Sequence, residues 1–227
     1  MSRNYPEVLL DPEKTAVVII DHQPQMYFGV QGACRTIIEN NVIGLAKAAK
    51  VFKVPCILTT VAAKTFSGYI YSKLQQVYPD FVPIDRTSIN SWEDENLKKA
   101  VKDTGKKNIV LAGLWTEACV LFPALSMMKD GYKVFVATDA CGGASEQAHD
   151  MAIQRMVQAG ASPCTWMQIM LEFQRDWNNK ETYEDVMTIV KEHGGAYGLG
   201  VEYQETMLKP VTYYVNNQQM QGSGQQR

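Results

Sequence analysis

The chain has 227 residues, 46% hydrophobic and 10% aromatic, enough for one substantial core in a single α/β domain. Charged residues make up 20% and the formal net charge is -2, so no basic excess suits a nucleic-acid backbone. No apolar run approaches the roughly 18 residues that span a bilayer, and "MSRNYPEVLLDPEKT" lacks the long apolar segment of a secretory signal.

"TAVVIID" (15–21) is a continuous apolar run ending in a carboxylate, the pattern of a buried parallel strand. "CRTIIENNVIGLAKAAKVF" (34–52) repeats its apolar residues at helical spacing, and "PCILTTV" (55–61) is a second strand. Residues 69–80 read as a helix or helical turn, and "FVPIDR" (81–86) as a short strand. "EDENLKKAVKDTG" (93–105) places acids first and lysines later, as a helix dipole favours, with Gly105 as its stop. "NIVLAGL" (108–114) is a strand, followed by a helix containing "ALSMMKDG" (124–131), then the strand "KVFVATDA" (133–140). Ser145 caps a helix over 145–160, "SPCTWMQIML" (162–171) supplies the last strand, and residues 181–194 form one more helix. The alternation predicts a parallel sheet with helices on both faces. The expected division is a domain over 1–196 and a C-terminal extension over 197–227, its Gln- and Gly-rich end mobile or its "TYYV" segment (212–215) adding a strand to a neighbouring subunit.

Five cysteines, at positions 34, 56, 119, 141 and 164, are an odd number without CxxC spacing, and the three histidines are scattered. No metal, disulfide framework or cofactor is expected, and reduced thiols fit a cytoplasmic setting. "CGGAS" lacks a full phosphate-cradling pattern.

In an open parallel sheet, ligands bind outside the carboxyl ends of the strands. Three reactive residues fall there: Asp21 after the first strand, Arg86 after the third and Cys119 after the fourth. Cys119 sits just past two polar residues, Thr116 and Glu117, where a strand gives way to a helix. Pro123 is best tolerated in a first helical turn, which places the helix start near Cys119. Free amides there would stabilise a thiolate, lower its pKa below about 8.5 and hold an oxyanion. On this basis Cys119 is the thiol that mild alkylation should reach first; the alternative is a small buried hydrophobe. Asp21 either caps a turn or takes the thiol proton. Arg86 either pairs at the surface, with neighbouring Asp85 as a competitor, or holds Asp21 ionised. His22 should point away from Asp21 and be structural. Trp92, Trp115 and Gln23 line a pocket or fill core space, and Cys141 ranks below Cys119 as a thiol.

The motifs "VVIIDHQ", "INSWED", "LAGLWTEACV" and "VFVATDACG", in this order, resemble the isochorismatase-like cysteine hydrolases, and are most similar to the YcaC-like branch. The resemblance implies a three-layer αβα sandwich, with a six-stranded parallel sheet of order 3-2-1-4-5-6. It implies an aspartate, a basic residue and a cysteine at Asp21, Arg86 and Cys119. It also implies a cis peptide at Leu114–Trp115, which turns the Trp115 amide, with that of Cys119, toward an oxyanion. The implied reaction is hydrolysis of a small-molecule amide or related C–N bond through a thioester. The implied assembly is a homo-oligomer, an octamer among the options. The competing reading is an oligomeric ligand-binding or structural protein with a vestigial site.

Overall fold

Every residue of strand β1 (Thr15–Ile20) is buried, so its alternate side chains feed two separate apolar layers. Val17 and Ile19 face one layer; Ala16, Val18 and Ile20 face the other. The structure, a computed structural model, describes residues 9–208. β1 lies at the centre of a six-stranded parallel sheet with β2 (Cys56–Val61), β3 (Ile84–Arg86), β4 (Asn108–Gly113), β5 (Lys133–Ala137) and β6 (Ser162–Cys164), in the order β3-β2-β1-β4-β5-β6.

One face of the sheet is covered by α2 (Arg35–Val51), α7 (Trp166–Gln174) and α8 (Lys180–His193), through Ile43, Leu45, Ile169, Phe173, Val186 and Val190. The other is covered by α4 (Glu95–Asp103), α5 (Leu121–Lys129) and α6 (Glu146–Gln158), through Leu97, Val101, Leu121, Met127, Ala152 and Met156. Asp94 and Ser145 cap α4 and α6 by accepting from the amides of Leu97 and Ala148. The three-layer αβα sandwich and strand order expected from the resemblance are those observed.

Several element boundaries differ from the sequence reading. Only Ser72–Gln75 of the 69–80 stretch is α-helical (α3), and Pro83 confines β3 to three residues. The last strand stops at Cys164, where Thr165 caps α7 through the Gln168 amide. Trp166, Ile169, Met170 and Phe173 then recur at helical spacing on the buried face. The chain after residue 196 continues as a helix, α9 (Ala196–Tyr203), whose Val201 packs on the core. Its exposed Tyr197, Leu199 and Tyr203 leave apolar residues on several sides, which hides the period. The sequence reading also missed α1 (Pro24–Phe28), which opens on Pro24. The "TYYV" segment lies outside the described residues.

Candidate active site

The strand order reverses between β1 and β4, and the candidate residues gather at the carboxyl ends there. Asp21 continues the β1 ladder by donating its N–H to the Thr59 carbonyl (2.9 Å), then turns the chain with φ +55°. Arg86 closes β3. Cys119 lies in a π-helical turn, Thr116–Val120, that leads directly into α5, with Pro123 in the first turn of that helix as the sequence suggested. β4 approaches β1 closely at this point: a Cβ on Gly113 would lie 2.7 Å from the Ile20 carbonyl oxygen.

Strand alternation decides the competition between the two acids flanking Arg86. Asp85 is exposed and accepts from Thr60 Oγ1 (2.9 Å) and the Ala63 amide (3.0 Å). Arg86 is buried and grips Asp21 with two parallel bonds, Nη1 to Oδ1 and Nη2 to Oδ2, both 2.9 Å. Neither side chain of this pair is exposed to solvent. Nη1 is further held by the Thr60 carbonyl at 3.1 Å.

Burial raises the Asp21 pKa above its ordinary value, while the Arg86 charge, its hydrogen bonds and a hydrogen bond from the Cys119 thiol oppose that rise. The Cys119 thiol is pushed up to about 12, first by burial and then by the Asp21 charge. The Arg86 charge and the Trp115 backbone N–H, which faces the sulfur, pull the other way. This corrects the expectation of a lowered thiol pKa. Cys119 is only 6% exposed and has a carboxylate beside it, and both effects outweigh the nearby helix start. Burial and the Asp21 charge thus both favour the protonated thiol at Cys119.

The expected order of thiol reactivity changes accordingly. Burial raises Cys56, Cys141 and Cys164 to about 12 as well. Cys34 is exposed at the N-cap of α2, and its pKa is lowered by the Thr36 hydroxyl (3.1 Å) and the Ile37 amide. Mild alkylation should therefore reach Cys34 before Cys119.

The Leu114–Trp115 peptide is cis. The Trp115 indole turns toward α1 and donates to the Met26 carbonyl at 2.8 Å. Trp92 belongs to the core: it is 3% exposed, donates to Asp130 Oδ2 (2.8 Å) just past the far end of α5, and stands edge-on to Tyr132. Gln23 is buried with its amide committed to the chain. It accepts from the Val61 N–H (2.9 Å) and donates to the carbonyls of Val61 (3.1 Å) and Gly68 (2.6 Å). It braces the wall formed by the 61–68 loop rather than offering a group to a ligand. His22 is fully buried, bonds Tyr27 Oη at 2.8 Å through Nδ1, and has its pKa held down at about 3 by burial. It stays neutral, which fits the structural role expected of it.

The sequence reading missed the brace around the cysteine turn. Thr116 bonds His149 Nδ1 (2.8 Å) through its hydroxyl and the Gly142 carbonyl (3.0 Å) through its amide, while Glu117 accepts from the Ala144 amide at 2.9 Å. The two polar residues ahead of Cys119 were its only sequence signal. Among the described residues, no group of three or more His, Cys, Asp or Glu side chains is placed to hold a metal ion.

The isochorismatase domain model matches residues 15–168, and with this fold and site the chain belongs to the isochorismatase family of hydrolases. Within it the chain is YcaC-like. It is 40% identical over 205 residues to the probable hydrolase YcaC of Escherichia coli K12, covering 90% of this chain and 98% of that protein. The solved YcaC of Pseudomonas aeruginosa, holding hexane-2,5-diol and covalent acrylamide, superposes with a TM-score of 0.84 at 36% identity, covering 89% of this chain and 100% of that one. The Escherichia coli YcaC structure, described as an octameric hydrolase of unknown specificity, gives 0.83 at 39% identity, over 89% and 99% of the two chains.

Proposed function

We propose that the chain hydrolyses a small non-peptide amide, or a related C–N compound, through a thioester on Cys119. The observation that carries this reading is the linked set of Arg86, Asp21 and Cys119: a guanidinium gripping both carboxylate oxygens, and a buried thiol close enough to that carboxylate for each to shift the other's pKa.

As the sulfur attacks the substrate carbonyl, its proton passes to Asp21, whose raised pKa makes it a competent base. The C–S bond forms and the carbonyl oxygen takes the negative charge. The backbone amides of Trp115 and Cys119 donate to that oxygen. Asp21 then returns the proton to the nitrogen as the C–N bond breaks, and the amine departs. Water, deprotonated by Asp21, adds to the thioester; the acid is released and the thiol regains its proton. Arg86 keeps its charge throughout, so its part is to orient the carboxylate and to favour its ionised form. The small exposed fraction of Cys119 restricts the acyl group to a compact one.

The test is turnover of a panel of small amides, carbamoyl compounds and nitriles by the wild-type chain and by Cys119→Ala. Turnover that disappears in the variant supports the reading, and turnover that persists refutes it. Burial of Cys119 and its high pKa favour a second reading, a ligand-binding site without turnover. Absence of a product burst at stoichiometric protein across the panel would select that one.

The likeness to the octameric YcaC supports self-association of this chain. Five free thiols support a reducing, cytoplasmic location.

A further inference from the structure

The Trp115 indole is fixed at two points on α1. Its Nε1 donates to the Met26 carbonyl at 2.8 Å, and its ring lies directly on the backbone of Gly29, the C-cap of α1. A Cβ built on Gly29 would lie 2.2 Å from indole Cζ2 and 2.9 Å from Cε2, so only glycine admits the ring in this place. Trp115 is also the N-cap of the turn that carries Cys119, where its carbonyl accepts from the Ala118 amide (3.2 Å) and its backbone N–H lowers the pKa of the thiol. α1 is itself anchored beside Asp21: it begins three residues after the acid, Tyr27 bonds His22, and Gln23 clamps its start to Val61 and Gly68. One side chain thus ties the residue that faces the sulfur to the helix that follows the acid.

We propose that Gly29 and the Met26 carbonyl form a seat for the Trp115 indole, and that this seat positions the Trp115 amide against the Cys119 sulfur and the oxyanion formed there. The inference rests on the reading of Cys119 as the nucleophile. Gly29 and Met26 are positioning residues, acting through Trp115. Ordinary contact begins near 3.4 Å, so an alanine at position 29 would make the ring withdraw by about 1.2 Å. A misplacement of about 1 Å can cost on the order of 10²-fold in rate.

The experiment follows acrylamide addition to Cys119 by peptide mass spectrometry in the wild type, Gly29→Ala, Trp115→Val and the double variant. Exposed Cys34 serves as internal reference, and half-buried Cys56 and buried Cys141 and Cys164, all with raised pKa, stay unlabelled while the fold is intact. Gly29→Ala is expected to slow Cys119 labelling by at least about tenfold, and to lower kcat on any amide substrate with little change in KM. In the Trp115→Val background the indole is gone, so the same change should alter the rate by less than about twofold. Equal slowing in both backgrounds, or wild-type labelling of Gly29→Ala, would overturn the seat. If Gly29→Ala exposes the buried thiols, Trp115→Phe decides instead: it keeps a ring but loses the bond to Met26, and wild-type labelling there contradicts the proposal. Cys119→Ala turnover tests the hydrolase reading separately, since the labelling comparison needs no natural substrate.

Discussion

A buried ion pair is asymmetric when one partner cannot shed its charge. In the Arg86–Asp21 pair, Asp21 can become neutral by taking up a proton, whereas Arg86 cannot release one. Asp21→Asn therefore leaves a buried, uncompensated guanidinium, with an expected cost of about 3–5 kcal/mol. Arg86→Met should cost less, because Asp21 can become neutral; urea unfolding of the two variants measures the difference. In the proposed mechanism turnover requires ionised Asp21, and its raised pKa should move the acid limb of the pH–rate profile above the ordinary aspartate value. Activity should fall about tenfold per pH unit below that limb; a limb at or below the ordinary aspartate value would count against Asp21 as the base. Iodoacetamide at neutral pH should label Cys34 first, with the fast phase lost in Cys34→Ser; a fast phase at Cys119 would contradict the ordering. The positions of Asp21, Arg86 and Cys119 were legible in the sequence, because a parallel sheet collects the carboxyl ends of its strands in one place. The state of the thiol was not. Its pKa depends on how completely distant segments bury the sulfur and on a carboxylate 98 residues away in the chain.

At the scale of elements, the site depends on how closely β1 and β4 approach. Gly113→Ala would put a methyl group 2.7 Å from the Ile20 carbonyl oxygen and 2.8 Å from Ile20 Cβ, both beside Asp21. Overpacking of this kind costs about 1–3 kcal/mol, which denaturant unfolding would register, and it should also lower the rate by shifting Asp21 from the thiol. The strands were readable because β1, β2, β4 and β5 are apolar runs bounded by breakers. The short elements were not. α1 has five residues, too few to show a period, and β6 gives way to α7 within an apolar stretch whose strand and helix portions look alike until Thr165 is seen capping. Trp92 illustrates the same limit: its partner Asp130 lies on another element, and no local pattern says which way the indole points.

At the scale of the molecule, the proposed self-association makes a multi-subunit particle the expected solution state. Sedimentation equilibrium should return the mass of several chains, with eight the first number to test, and a monomer would count against the assembly. The proposed hydrolysis depends on a covalent step at one sulfur. Its most direct measurement is an acid-quenched digest of the wild-type chain during turnover of an amide substrate, read by mass spectrometry. The expected result is an acyl increment on the peptide carrying Cys119, absent from Cys119→Ala. Turnover at full rate with that peptide unmodified at every time point would contradict a thioester route.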